Sequence, residues 1–175
     1  GALIQDNVKR MLAYSSISLA GFLFLGLYIG LKEGQFDPSV AMAVLFYLLA
    51  YSLTSLGAFG VLSVMIDKKQ EATNFSDLEG LAETRPGLAL LLSLFMISLL
   101  GIPATAGFSA KYGVLSLAVK NGHVSLAIFG VLMSVVSVAY YLRPIVVMYF
   151  KEAPKLRRSF IDAPIPFFLM FSMIF

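Results

Sequence analysis

The chain has 175 residues, 59% of them hydrophobic and 13% charged, with a formal net charge of +3 and no cysteine; its mean hydropathy is +0.87. Ordinary soluble domains run at roughly 45–50% apolar and 25% charged residues, so this composition excludes a soluble globular domain. It also removes nucleic-acid binding as the meaning of the positive charge, and the lack of cysteine removes a disulfide framework or a thiolate metal site.

In chain order, spans are predicted at about 8–31, 38–66, 87–119, 123–150 and, incompletely, 160–175. Met11–Leu31 and Pro38–Ile66 are uncharged and longer than the ~20 residues with which an α-helix crosses a hydrocarbon core of about 30 Å. A transmembrane barrel would alternate in segments of roughly ten residues, and these runs do not. The expectation is therefore an all-α, polytopic transmembrane bundle forming one domain over 1–175. No basic region or cleavage site precedes the first span, and the last residue stands inside an apolar run, so the sequence reads as part of a longer chain.

The loops Lys32–Asp37 and Lys120–Gly122 are short, and Asp67–Arg85 is long and polar. His123 follows an Asn-Gly turn and reads as a loop residue, not a ligand. Four crossings put alternate loops on opposite sides. One side holds Lys9, Arg10, Lys68, Lys69, Arg85, Lys151, Lys155, Arg157 and Arg158, the other Lys32 and Lys120, and this nine-to-two bias assigns the first side to the cytoplasm. Arg143 lies inside a span but close enough to its end to snorkel toward headgroups, and Tyr140, Tyr141 and Tyr149 beside it read as an interfacial aromatic belt.

Lys111 has no such escape. It lies in the run Pro86–Val119, about 34 residues, which as one straight helix would reach about 50 Å. Gly101, Pro103 and Gly107 supply a break over 101–107, giving half-helices Gly87–Leu100 and about Phe108–Val119 that meet near mid-membrane. A proline here could simply shape packing. The lysine argues for more, since a charge at the bilayer centre costs on the order of 3 kcal/mol and such residues line ion or proton paths. In the first turn of the second half-helix both the helix dipole and burial disfavour an ammonium. Carbonyls left open near Leu99 and Leu100 are placed to accept from it. None of the four complete spans holds an acidic residue, so any carboxylate partner comes from elsewhere.

Hydroxyls are available for a hydrogen-bonded chain. Tyr47, Tyr51 and Ser55 recur at i, i+4, i+8 with Thr54 flanking, and Ser134, Ser137 and Tyr141 recur at i, i+3, i+7. Singly they read as helix-to-helix glue; converging on Lys111 they read as a proton path.

Three stretches, "NVKRMLAYSSIS" (Asn7–Ser18), "FSDLEGLAETRPGLALLL" (Phe75–Leu92) and "GIPATAGFSAKYGVL" (Gly101–Leu115), resemble in order the antiporter-like membrane subunits of respiratory complex I (NADH–quinone oxidoreductase), most of all the N type. The resemblance implies two inverted repeats, each with a discontinuous helix, of which this chain would be most of the second. It implies that Lys111 belongs to a charged, hydrated axis for protons, with other membrane-arm subunits and the lipid of a bacterial inner (cell) membrane as surroundings. It also implies no cofactor in this chain, FMN, iron–sulfur clusters and quinone being expected in partner subunits. Two positions depart from the pattern: Ala104 stands where N-type relatives commonly carry a second proline, and Leu19 where many carry a histidine. Related cation/proton antiporters share the fold, so a subunit of such an antiporter, or a stand-alone secondary transporter, is the competing reading; a third is a structural subunit with a static lysine.

Overall fold

The computed structural model describes residues 1–32, 35–65 and 74–152. The expected last span, 160–175, lies outside them, as do Lys68, Lys69, Lys155, Arg157 and Arg158 of the basic side. Six α-helices occur among the described residues: α1 Val8–Gly30, α2 Pro38–Val64, the single turn α3 Leu81–Thr84, α4 Pro86–Leu100, α5 Ala106–Lys120 and α6 Val124–Phe150. Between α1 and α2 a two-residue antiparallel pair, β1 Leu31–Lys32 with β2 Gln35–Phe36, closes the first hairpin.

Local chemistry explains the helix starts. The Asn7 side chain accepts from the Arg10 N–H at 3.0 Å, and the Asp37 carboxylate accepts from the Ser39 N–H at 2.8 Å with Pro38 at the first helical position. Pro86 opens α4 in the same way. Each proline sits where an N–H would have no helical partner. At the far end of α5, Gly122 takes a left-handed φ of 81° and the His123 N–H bonds back to the Ala118 carbonyl at 2.9 Å. The Asn-Gly-His turn is thus a helix stop that starts the next helix, and the His123 ring lies edge-on to Tyr28.

Helices α1, α2 and α6 are each long and apolar enough to cross a membrane. Exposed on them are Leu27, Met42, Leu49, Leu132 and Val135, apolar side chains that the rest of the described bundle does not cover. The shorter α4 is the central element. Leu88, Leu92, Phe95 and Met96 pack with Val8, Met11, Leu12, Val61, Leu62 and Met148 in the largest core cluster. A second cluster, Phe22, Tyr47, Ala50, Ala110 and Val114, lies beside the break, and a third of Ile29, Val40, Ala118 and Ala127 closes the other end.

The loop sides sort as the crossings require. Asn7 bridges Asn74 and Lys151 pairs with Glu79 at 2.8 Å, so the start of α1, the approach to α4 and the end of α6 share one end of the bundle. Arg143 is held by protein groups at this end and not left to headgroups. Its guanidinium donates to the Gln5 carbonyl at 2.7 Å and to the Asp6 carboxylate at 2.9 Å, and lies 4.0 Å over the Phe75 ring. The expected aromatic belt reduces to Tyr149. Tyr140 and Tyr141 are buried, because α6 turns them toward α1 and α2 while Tyr149 stays outside.

Candidate functional site

The long apolar run is broken. α4 stops where Gly101 adopts φ 88°, and the N–H groups of Gly101 and Ile102 both return to the Ile97 carbonyl, at 3.1 and 3.4 Å. Only glycine adopts this left-handed geometry without cost. Thr105 then starts α5: its hydroxyl accepts from the Phe108 N–H at 3.2 Å and donates to the Ile102 carbonyl at 2.7 Å. The interruption therefore occupies Gly101 to Thr105, Pro103 included, two residues shorter than expected. Gly107 belongs to the first turn of α5, because the threonine cap starts the helix before it. What its missing side chain provides is proximity, since a Cβ there would overlap the Ser98 carbonyl oxygen of α4. Ala104 sits at φ 75°, a left-handed conformation that proline, fixed near −65°, cannot take.

Lys111 stands one turn into α5, and its ammonium crosses back to the end of α4. Nζ donates to the Leu99 carbonyl at 2.9 Å and to the Leu100 carbonyl at 3.0 Å. These are the carbonyls that a helix end leaves without an intrahelical donor. The lysine stem lies against Gly101, where an added Cβ would come within 3.3 Å of Cδ.

Lys111 also lines a cavity of about 610 Å³ bounded by α1, α2, α6 and the broken helix. Tyr47, Tyr51, Thr54, Ser134, Ser137 and Tyr141 line it with the lysine. Ser55 does not. On α2 the period of 3.6 returns to the azimuth of Tyr47 at i+7, Thr54, whereas i+8 overshoots by about 80°. Sequence reasoning missed Ser15, Ser18, Ser98 and Tyr140, which also line the cavity. The i, i+3 pair Ser15 and Ser18 within "AYSSIS" carried the signal. Leu19 lines it as well.

The hydroxyls mostly bond within their own helices. Ser15 donates to the Leu12 carbonyl, Thr54 to the Ala50 carbonyl and Ser137 to the Ser134 carbonyl, each at 2.6 Å. Contacts that cross between helices include Ser15 to the Tyr51 hydroxyl at 3.3 Å, Ser18 to the Tyr140 hydroxyl at 3.5 Å and the Gly107 N–H to the Ser98 hydroxyl at 3.4 Å, and Ser15 also bonds the Tyr141 hydroxyl. Ser134 Oγ is buried with no hydrogen-bond partner among the described residues. A hydroxyl bonded to its own helix still has lone pairs to offer, so the wall presents acceptors to water or to a migrating proton. Among the described residues no group of acidic or histidine side chains is placed to hold a metal ion.

Comparison with known proteins agrees with this architecture. Residues 1–137 match the family described as NADH:quinone oxidoreductase/Mrp antiporter, transmembrane. The chain is 47% identical over 153 residues to NADH-quinone oxidoreductase subunit N of Bdellovibrio bacteriovorus, covering 86% of this chain and 31% of that protein. It is 49% identical over 151 residues to subunit N of Trichlorobacter lovleyi, covering 86% of this chain and 30% of that one. The chain thus spans about 30% of the length of these curated relatives. Among solved structures, a chain of respiratory complex I from Thermus thermophilus with bound aureothin matches at a TM-score of 0.74 and 32% identity, over 99% of this chain and 38% of that chain. With the family match covering most of its length, the chain belongs to the transmembrane family of NADH:quinone oxidoreductase and Mrp antiporter subunits, and is an integral membrane protein.

Proposed function

We propose that this chain is the part of a membrane-arm subunit of NADH–quinone oxidoreductase in which Lys111 gains and releases a proton during transport. The observation that carries the reading is the position of the ammonium: it rests on two backbone carbonyls at a helix break and opens on a hydroxyl-lined cavity. Carbonyl dipoles solvate a charge without fixing it as a carboxylate would, so Lys111 keeps a proton that it can give up. Tyr47, Tyr51, Thr54, Ser134, Ser137 and Tyr141 then supply the wall along which water or hydroxyls carry that proton. The chain's role is non-redox; flavin, iron–sulfur clusters and quinone belong to partner subunits, and the electron chemistry there is coupled to proton movement here. The basic end of the bundle, with Lys9, Arg10, Arg85 and Lys151, faces the cytoplasm.

The test is Lys111→Met in the full-length protein, assembled in its complex. Methionine keeps the length of the stem and removes the ionisable group. Proton pumping per NADH oxidised is expected to collapse, and wild-type coupling would overturn the reading. The family description also names Mrp antiporters, which favours a cation/proton antiporter subunit as the second reading. Purification separates the two, since a large complex with flavin and iron–sulfur absorbance supports the first and an assembly without them the second.

A further inference from the structure

The two half-helices cap each other across the break. Three consecutive residues at the end of α4 face one side of α5. The Ser98 hydroxyl accepts from the Gly107 N–H at 3.4 Å, one of the donors that the start of a helix leaves unused. The Ser98 carbonyl lies directly against the Cα of Gly107, with no room for a side chain. The next two carbonyls, Leu99 and Leu100, receive the Lys111 ammonium, and Lys111 stands one helical turn above Gly107. α4 thus supplies a cap to the start of α5, and α5 supplies a cap to the end of α4. The separation of the two backbones is set where they touch, at Gly107 and Ser98. The lysine stem has little slack to absorb a change, because it already lies along Gly101.

We propose that Gly107 and Ser98 are positioning residues for Lys111. Their close crossing holds the ammonium on the Leu99 and Leu100 carbonyls, and they act in proton transfer through Lys111 without chemistry of their own. This rests on the proton-exchanging role of Lys111 proposed above. A methyl group at position 107 would push the first turn of α5 away from α4 and lift Nζ from its acceptors; loss of the Ser98 hydroxyl would loosen the same crossing without adding volume.

The test uses the full-length protein in membranes holding the assembled complex, with Gly107→Ala, Ser98→Ala, Ser98→Thr and Lys111→Met in parallel. NADH oxidation by an artificial electron acceptor reports how much complex is assembled; proton pumping, normalised to it, is followed across pH. Gly107→Ala is expected to lose pumping several-fold per complex, with its pH profile displaced from wild type. Ser98→Ala should move the same way by less, and Ser98→Thr, which keeps the hydroxyl, should restore the profile. A purely structural role would lower the amount of complex and leave the profile of what remains unchanged. That result in Ser98→Ala overturns the proposal even if Gly107→Ala fails to assemble. Wild-type pumping by Lys111→Met would sink the reading on which the proposal rests; defective Lys111→Met beside wild-type profiles in the Ser98 and Gly107 variants would sink the positioning alone.

Discussion

Two basic residues stand in the interior of apolar helices of this bundle, away from the first and last residues of each, and the molecule treats them differently. Arg143, on α6, is held by a carboxylate, a backbone carbonyl and an aromatic ring, at the end of the bundle where the start of α1 meets the segment before α4. Lys111, on α5, has two backbone carbonyls and a cavity. The guanidinium cannot deprotonate at accessible pH and its planar fork suits several fixed acceptors, so the first arrangement ties chain segments together. An ammonium on carbonyl dipoles keeps its charge without a counter-charge, so the second arrangement holds Lys111 by acceptors that carry no full charge of their own. On the function proposed above, the difference separates a clamp from a relay.

The largest expected effect tests the relay half. Lys111→Arg keeps the positive charge and removes the ability to release a proton. If exchange is the role, coupled pumping falls on the order of 10²-fold or more, the range for losing a proton-transfer group, and so matches Lys111→Met. Pumping by Lys111→Arg near the wild-type rate would mean that only the charge matters, and would put Lys111 in the same class as Arg143.

The clamp half is tested by Arg143→Leu. The loss comprises a charged hydrogen bond to the Gln5 carbonyl and the contact with the Phe75 ring; discounted for the 39% exposure of the arginine side chain, it comes to about 2 kcal/mol. The amount of assembled complex should fall while pumping per complex stays at wild type. Loss of pumping in fully assembled complex would break the contrast from the other side.

Both residues were visible in the sequence as charges inside spans; their surroundings were not equally so. The acceptors of Lys111 follow from local rules: a glycine that stops one helix, a cap that starts the next, and carbonyls without donors between them. Leu99 and Leu100 were therefore expected and found. Arg143 depends on Gln5 and Asp6, more than 130 positions away in the chain, and no periodicity or propensity encodes such a pairing. The break was legible as a break, but its boundary was not, because Thr105 begins α5 ahead of Gly107. The glycine looked like a second hinge and serves as a point of close approach. On α2 the helical period selected the correct face, with Thr54 in place of Ser55.

A smaller effect belongs to the frame that holds Lys111. Thr105→Ala removes the hydroxyl that caps α5 and ties Ile102 across the break, a loss of about 1 kcal/mol. Thr105→Ser keeps the hydroxyl and should retain most of that stability. Thermal unfolding of the purified complex, followed through this subunit, distinguishes the pair; equal melting of the alanine and serine variants would mean that packing, and not the cap, starts α5.

The smallest effect is expected at Asp6. Its side chain is 92% exposed, so its ion pair with Arg143 is screened by water and salt. Asp6→Asn also leaves the rest of the clamp in place, since Arg143 still has the Gln5 carbonyl and the Phe75 ring, and the Phe75 N–H still bonds the Asp6 backbone carbonyl at 3.1 Å. The change should therefore cost no more than about 1 kcal/mol, the range of exposed ion pairs, and the cost should shrink further as salt is raised. Melting of the Asp6→Asn and Arg143→Leu variants at low and high salt makes the comparison direct. A penalty for Asp6→Asn as large as that for Arg143→Leu would mean that the carboxylate, not the carbonyl and the ring, holds the arginine. The contrast with Lys111 would then rest on a single counter-charge.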